Sequence, residues 1–203
     1  MKKIIHGLSV FFPSYNEEAS IEKTVRLAKK VLTNIAQNWE ILIINDGSKD
    51  KTGHIANKLA REDSRIKVIT HTQNRGYGAS LKSGFYNSRY SWIAFTDSDG
   101  QFDFSEITKF IEKQVQTGAD LVIGYYLKRE VSLYRKINTF FWETTVFLLF
   151  GLKVHDIDCG FKLISKNVID EIPKLISERG AFISSELLIN TKKKSFKIAE
   201  VGV

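Results

Sequence analysis

The fold is decided by a stretch near the middle of the chain, Trp92-Ile93-Ala94-Phe95-Thr96-Asp97-Ser98-Asp99-Gly100-Gln101. Its apolar beginning predicts a strand that is buried on both faces. Asp97 and Asp99 follow one residue apart and point to the same side if strand geometry continues. Their repulsion favours a bound cation, and carboxylate oxygens suit Mg²⁺ or Mn²⁺, with Gln101 as a further oxygen ligand. An ordinary Asp-x-Asp-Gly turn is the alternative, but the end of a buried strand favours the metal.

The first half of the chain repeats a rhythm of short apolar run, polar loop and amphipathic helix. The apolar runs are Leu8–Phe12, Glu40–Ile44, Ile66–Thr70, Trp92–Phe95 and Leu121–Gly124. Alternating β and α units of this size predict an α/β fold, with a mostly parallel, doubly wound sheet and helices on both faces. No internal repeat or linker divides the chain, so we expect a single domain over residues 1–203.

Polar loops follow the first four apolar runs at their carboxyl ends. These loops are Pro13–Glu18, Asn45–Thr52, Asn74–Ala79 and Asp97–Gln101. Parallel sheets bind ligands in the crevice beyond this edge. Each loop alone also fits a turn that caps the next helix. Turns and caps give no reason for all four loops to share one edge, so we expect a ligand-binding crevice there.

The charge balance indicates an anionic partner. Thirty Lys and Arg residues against 23 Asp and Glu residues give a net charge of +7, which suits a nucleotide, a phosphate or an acidic lipid. We expect no nucleic-acid partner, because the charge is dispersed and no helical recognition module is present. The lone cysteine, Cys159, excludes an intramolecular disulfide and fits a reducing compartment. No apolar run reaches the ~18 residues of a membrane span, so we expect a cytoplasmic location.

The pattern changes after Gly124. A basic stretch at residues 128–136 precedes an aromatic, helix-compatible segment, Phe140–Phe150. This segment fits a buried helix under the sheet. It fits equally an interfacial helix, whose aromatic side chains reach a bilayer while this basic stretch and the later Lys192–Lys197 cluster meet anionic headgroups. Two further helices and a last strand are predicted around Val168–Leu175, Ser184–Lys192 and Ile198–Val201.

Five segments stand in order along the chain: Val10–Glu18, Ile43–Thr52, Asn74–Ala79, Asp97–Asp99 and Asp156–Lys162. Together they resemble the family 2 glycosyltransferases, which have the Rossmann-like GT-A fold, and in particular the branch that uses polyprenyl phosphates. In order, they are similar to that family's nucleotide loop, base- and ribose-binding segment, second donor loop, metal motif and acceptor-side motif. The resemblance covers nearly the whole chain.

The resemblance implies roles for particular side chains. The implied nucleotide-sugar pocket contains Pro13, Tyr15, Glu17, Asp46 and Gly76. The implied ligands of Mg²⁺ or Mn²⁺ are Asp97, Asp99 and Gln101. Basic residues that contact donor or acceptor phosphates are implied at Arg129, Arg135 and Lys162. The candidate catalytic residues are then Asp97, Asp99, Arg129 and Asp158.

The resemblance predicts an inverting, metal-dependent glycosyltransferase that moves a sugar from a UDP- or GDP-linked donor to a polyprenyl phosphate. Such an enzyme is expected to be peripheral to, or tethered at, the cytoplasmic face of the membrane. Residues 1–125 would bind donor and metal, and residues 126–203 would form the acceptor-side half, truncated at its carboxyl end relative to the family.

Two alternatives to transfer onto a lipid phosphate stay open. One is transfer to a saccharide hydroxyl, which needs a general base such as Asp156 or Asp158. The other is a non-catalytic, membrane-associated protein that binds nucleotide sugars. The intact Asp97 and Asp99 argue against the second alternative, and the Asp156–Lys162 segment favours lipid phosphate over the first.

Overall fold

The computed structural model describes residues 4–127, 148–178, 180 and 182–203, and in these residues seven strands form one sheet. The strands are β1 (Ile5–Ser14), β2 (Ala36–Asn45), β3 (Ile66–Thr70), β4 (Trp92–Phe95), β5 (Leu121–Tyr125), β6 (Lys162–Ser165) and β7 (Ile198–Gly202). The helices are α1 (Ile21–Ile35), α2 (Thr52–Glu62), α3 (Tyr77–Asn87), α4 (Ile107–Thr117), α5 (Lys166–Glu171) and α6 (Phe182–Lys193).

The strands lie in the order β3-β2-β1-β4-β6-β5-β7. Strands β1 to β4 pair in parallel, and β7 is parallel to β5. Strand β6 lies between β4 and β5 and is antiparallel to both. The predicted mostly parallel α/β sheet is therefore confirmed, with β6 as an antiparallel strand that the sequence did not reveal. The apolar run of β6 is short and follows a glycine-containing loop, and no pattern in the sequence distinguishes the strand from that loop.

Side chains of adjacent residues enter two cores on opposite faces of the sheet, because successive residues of a strand point to opposite sides. Val10 and Phe12 belong to the core that α1, α2 and α4 cover. Phe11, between them, belongs to the core that α3, α5 and α6 cover. The prediction of helices on both faces is confirmed. It also explains why the apolar runs are nearly unbroken, since strands covered on both sides bury every residue.

Helix α5 is shorter than the predicted segment Val168–Leu175. It ends at Glu171, and Ile172 has an extended backbone with φ −74° and ψ 156°. The next residue is Pro173, whose ring disfavours the helical conformation of the residue before it. The chain then runs without regular structure over the outside of α3.

Some sequence predictions lie outside the described residues. These are the basic stretch with Arg129 and Arg135 and most of the Phe140–Phe150 segment, of which residues 148–150 are described and helical. Among the described helices, none is long and apolar enough to cross a membrane.

Candidate active site at the carboxyl edge of the sheet

A cleft of about 370 Å³ opens at the carboxyl ends of β1, β2 and β4, beside the start of α3. All four predicted polar loops contribute to it. Its lining residues are Pro13, Ser14, Tyr15, Glu17, Asp46, Asn74, Gly76, Tyr77, Ser80, Asp97, Ser98 and Asp99. The structure thus brings together five nucleotide-pocket candidates and the carboxylate pair, at the edge where a doubly wound sheet binds ligands.

Reciprocal hydrogen bonds join the first two loops. The backbone N–H of Asn16 donates to Ser48 Oγ at 3.0 Å, and Asn16 Oδ1 accepts from the backbone N–H of Lys49 at 2.9 Å. The backbone N–H of Glu17 donates to Thr52 Oγ1 at 2.7 Å. Asn16 adopts a positive φ of 58°, which Asn tolerates better than most residues. The side chains of Asn16, Ser48 and Thr52 therefore join the two loops in the wall of the cleft. This role is separate from helix capping, which residues of these types also perform.

The carboxylate of Asp46 ties the second loop to the third. It accepts backbone N–H groups from Arg75 at 2.9 Å and from Gly76 at 2.8 Å. His71 Nδ1 lies 2.5 Å from Asp46 Oδ1, and its Nε2 lies 2.8 Å from Ser83 Oγ on α3. His71 is buried, and nothing in the sequence marks it as a residue of the site. Its partners lie 25 and 12 residues away along the chain, so its spacing carried no signal.

Asp97 is the most perturbed carboxyl group of the cleft. Burial is the main cause that raises its pKa from 3.8 to about 6, and the negative charges of Asp99 and Glu17 act in the same direction. The hydroxyl of Tyr77 donates to Asp97 Oδ1 at 3.0 Å and opposes the rise, as does the charge of Lys162. The pKa of Tyr77 is raised well above 10, by burial first and then by Asp97. A partly buried negative charge at this position favours a cation nearby.

Asp99 and Gln101 lie at the exposed end of the same loop. Asp99 Oδ1 accepts the backbone N–H of Gln101 at 2.9 Å across Gly100, which has a positive φ of 81°. Gln101 is exposed, and it does not line the cleft described above. The backbone of Gln101 thus orients Asp99, whereas the expected role of its side chain as a metal ligand stays a prediction.

The donor set fits a divalent ion that also binds substrate phosphates. Mg²⁺ is commonly held by one or two carboxylates plus phosphate oxygens, and the Asp97–Asp99 pair offers two carboxylates. Burial, together with the charges of Asp99 and Glu17, raises the pKa of Asp97, and a bound cation would offset this penalty on the charged carboxylate. Within the described residues no group of three or more His, Cys, Asp or Glu side chains is arranged to hold a metal alone. The pair therefore suits an ion whose other ligands are water or phosphate oxygens.

The Asp156–Lys162 segment packs against the metal motif through Gly160. A Cβ atom at Gly160 would collide with Asp97 Oδ2, so only glycine allows this approach. Asp158 is exposed, its backbone N–H donates to Asp156 Oδ1 at 3.0 Å, and its charge contributes to the raised pKa of Tyr77. The segment that resembles an acceptor motif is thus a direct neighbour of the carboxylate pair.

Lys162 departs from the expected phosphate contact. Its side chain is fully buried, and Nζ donates to the carbonyl oxygen of Cys159 and lies 5.5 Å from the centre of the Phe95 ring. Burial lowers its pKa. Lys162 begins β6 between two other strands. Its side chain lies in the interior and does not line the cleft described above. In this structure its charge reaches Asp97 through the protein interior.

Comparison with known proteins identifies the class of protein. The family model described as "Glycosyl transferase family 2" matches residues 9–173. The chain therefore belongs to glycosyl transferase family 2. The fold agrees, since the chain superposes on a glucosyl-3-phosphoglycerate synthase from Mycobacterium tuberculosis in complex with Mn²⁺, UDP-glucose and phosphoglyceric acid, with a TM-score of 0.72 and 20% identity over 97% of this chain and 69% of that chain.

Two curated relatives narrow the comparison. A dolichyl-phosphate beta-glucosyltransferase from Saccharomyces cerevisiae is 30% identical over 97% of this chain and 66% of its own length. A dodecaprenyl-phosphate galacturonate synthase from Rhizobium johnstonii is 29% identical over 87% of this chain and 52% of its own length. The chain thus spans between half and two thirds of these relatives. The resemblance to the polyprenyl-phosphate branch is confirmed, as is the GT-A fold.

Proposed function

We propose that this protein is an inverting glycosyltransferase that moves a sugar from a nucleotide sugar to a polyprenyl phosphate. The observation that carries this proposal is the contact of Gly160 with Asp97, because it joins the acceptor-side segment to the carboxylate pair of the cleft. Relatives named for dolichyl-phosphate and dodecaprenyl-phosphate substrates support a lipid phosphate acceptor.

A nucleoside diphosphate suits the cleft beside α3. Gly76, Tyr77 and Ser80 line it at the first turn of this helix, and a helix N-terminus favours phosphate through its backbone N–H groups and dipole. The glucosyl-3-phosphoglycerate synthase from Mycobacterium tuberculosis, which shares this fold, was crystallised with UDP and Mn²⁺. This supports a UDP-linked donor as the first choice and a GDP-linked donor as the second.

Asp97 and Asp99 are the proposed holders of a divalent ion. When bound, Mg²⁺ or Mn²⁺ supplies positive charge that stabilises the departing nucleoside diphosphate. The pocket candidates Tyr15, Glu17 and Asp46 bind and orient the nucleotide, so that the sugar carbon faces the acceptor side. Arg129 and Arg135 are predicted to add positive charge for the two anionic substrates.

The acceptor phosphate needs little activation. It is already ionised near neutral pH, so its oxygen attacks the anomeric carbon without a dedicated base while the carbon–oxygen bond to the diphosphate breaks. Attack opposite the leaving group inverts the configuration of that carbon. A saccharide hydroxyl would instead need a base to take its proton, and Asp158 is the exposed carboxylate beside the cleft that suits this role.

The test incubates radiolabelled UDP- and GDP-linked sugars with a short-chain polyprenyl phosphate, and in parallel with free saccharides. We expect Mn²⁺- or Mg²⁺-dependent label in the lipid. Asp99→Ala should abolish transfer and metal-dependent donor binding while the unfolding midpoint stays near the wild-type value. Asp170→Ala, which alters an exposed carboxylate on α5, is the matched control.

Each outcome of this assay separates the candidate functions. Label only in saccharides would assign the hydroxyl-transfer alternative. Tight donor binding without any transfer would instead indicate a non-catalytic protein that binds nucleotide sugars. Because this chain spans part of its relatives, the assay also uses the longest natural form of the protein.

We further propose that the chain associates with the cytoplasmic face of a membrane through the surface next to α6. Leu148 and Leu149 are exposed by 74% and 69%. Lys193 at the end of α6 lies over the ring of Phe150, with Nζ 5.4 Å from its centre. Exposed leucines beside the exposed lysines 192–194 match a surface that inserts apolar groups and attracts anionic headgroups.

Flotation with phosphatidylglycerol vesicles tests this association. We expect binding at low salt that weakens as salt rises, because screening reduces attraction between lysines and lipids. The double variant Lys193→Glu, Lys194→Glu should weaken binding. The control double variant Lys30→Glu, Lys58→Glu, on the exposed sides of α1 and α2, should weaken binding less. Failure to bind at low salt would remove the proposal and leave the buried-helix interpretation.

A further inference from the structure

His71 connects three parts of the molecule from a buried position. It follows the last residue of β3, and its backbone N–H donates to the carbonyl oxygen of Asn45 at 2.9 Å. Its ring lies between Asp46 at the end of β2 and Ser83 on α3, at 2.5 Å and 2.8 Å. A carboxylate only accepts hydrogen bonds, so Nδ1–H donates to Asp46, and in the neutral ring Nε2 accepts from the Ser83 hydroxyl.

The bond from His71 fixes an Asp46 carboxylate that holds the third loop. Asp46 Oδ1 accepts Nδ1 of His71 and the N–H of Arg75, while Oδ2 accepts the N–H of Gly76. A carboxylate has about four acceptor positions. These three internal donors leave about one position for a ligand in the cleft that Asp46 lines. His71 is the side-chain donor among the three, so its loss changes where this remaining position points.

The third loop has a backbone that needs such fixation. Gly76 has a positive φ of 96°, and Gly47 approaches the Gln73–Asn74 backbone so closely that a Cβ atom would collide with it. Gly76 and Tyr77 then line the cleft, and Tyr77 donates to Asp97. A shift of this loop would move the start of α3 and the partner of Asp97 together.

We propose that His71 is a positioning residue for the donor site. Through Asp46 it holds the backbone of Arg75 and Gly76, so that the first turn of α3 meets the diphosphate of a nucleotide sugar. Its effect on substrate rests on the proposed function, whereas its effect on the loop does not. His71 touches no reacting atom, so its loss weakens donor binding and leaves the chemical step almost unchanged.

Variants of His71 separate this role from simple packing. His71→Phe keeps a ring and removes both hydrogen bonds. His71→Asn keeps an N–H donor at the position of Nδ1 and loses the bond to Ser83. His54→Phe, at an exposed histidine of α2, is the control. Ser83→Ala removes the outer bond alone and serves as the mild variant if His71→Phe folds poorly.

The first measurement is amide hydrogen exchange of Arg75 and Gly76 in the ligand-free protein. We expect exchange about tenfold faster in His71→Phe, as the loss of a hydrogen bond to a charged group implies. A smaller rise is expected in Ser83→Ala, near-normal exchange in His71→Asn and no change in His54→Phe. Unchanged exchange in both His71→Phe and Ser83→Ala would overturn the proposal whatever the substrate is.

The second measurement is steady-state kinetics with the nucleotide sugar, together with direct binding of UDP. We expect KM for the donor to rise about tenfold in His71→Phe with kcat within about twofold, and His71→Asn to restore most of the affinity. A fall of about tenfold in kcat with an unchanged KM would overturn the positioning role. If the wild-type chain binds no nucleotide sugar, the proposed function fails, and the exchange rates still decide what His71 does to the loop.

Discussion

The Asp97 carboxylate is held from two sides. Oδ1 accepts the Tyr77 hydroxyl, and Oδ2 faces Gly160, which leaves no room for a side chain there. The sequence predicts the carboxylate pair, because the apolar run and the spacing of Asp97 and Asp99 are local. It does not predict the contacts with Tyr77 and Gly160, which come from remote parts of the chain and depend on how the sheet is assembled.

Asp97→Asn should stabilise the ligand-free protein at neutral pH. The folded-state pKa of about 6 lies above the ordinary 3.8. Between these values the folded state keeps a proton that the unfolded state has lost, so the contribution of Asp97 to stability falls as pH rises towards 6. We expect Asp97→Asn to add about 1–3 kcal/mol to the free energy of unfolding at about pH 8, and much less at about pH 4.5.

Urea unfolding at the two pH values measures this difference, and Asp170→Asn on the surface of α5 provides the control. An Asp97→Asn effect of the same size at both pH values would contradict the electrostatic explanation. The pH range follows from the folded and ordinary pKa values of Asp97, because the variant removes that ionisation.

Helix α3 packs directly onto β1 at one glycine. A Cβ atom at Gly84 would collide with the ring of Phe11, and that ring also stacks on Phe95 with centroids 5.1 Å apart. At the scale of elements the sequence predicts most strands and helices, since their apolar periodicity is strong. It misses β6, whose apolar run is short. It also predicts that α5 continues past Glu171, because the apolar spacing continues, whereas Pro173 ends the helix.

Gly84→Ala should destabilise the protein although alanine is the better helix former. The gain in helix propensity is about 1 kcal/mol, and forced overpacking against Phe11 costs about 1–3 kcal/mol or more. We expect a lower midpoint of urea unfolding. Asn87→Ala, at an exposed position of the same helix, should change stability little. A Gly84→Ala variant as stable as wild type would show that α3 can move away from β1 without loss.

The sheet lies between two cores and contributes side chains to both. Ile43 and Ile44 are adjacent on β2, both are fully buried, and they enter opposite cores. The sequence predicts this arrangement, because a doubly wound sheet follows from alternating units and unbroken apolar runs. It does not predict which loops hydrogen-bond across the cleft, since polar loops of similar composition can pair in many ways.

Ile43→Val and Ile44→Val should lower the same global stability. Each removes one buried methylene, which costs about 0.5–1.5 kcal/mol. We expect a single urea transition in both variants, with tryptophan fluorescence and far-ultraviolet circular dichroism coincident. Ile176→Val, at a side chain that is 82% exposed, should change nothing. Two separated transitions in either variant would show that the two cores unfold independently.

The contact between Gly160 and Asp97 limits how this protein can be re-engineered. A chimera that borrows residues 156–162 from a relative with another acceptor must keep a glycine at position 160, or the borrowed segment displaces Asp97. Acceptor preference is therefore best altered at the exposed position 158, while Gly160 is kept. In a library that randomises the whole segment, the active clones should share that glycine and differ elsewhere.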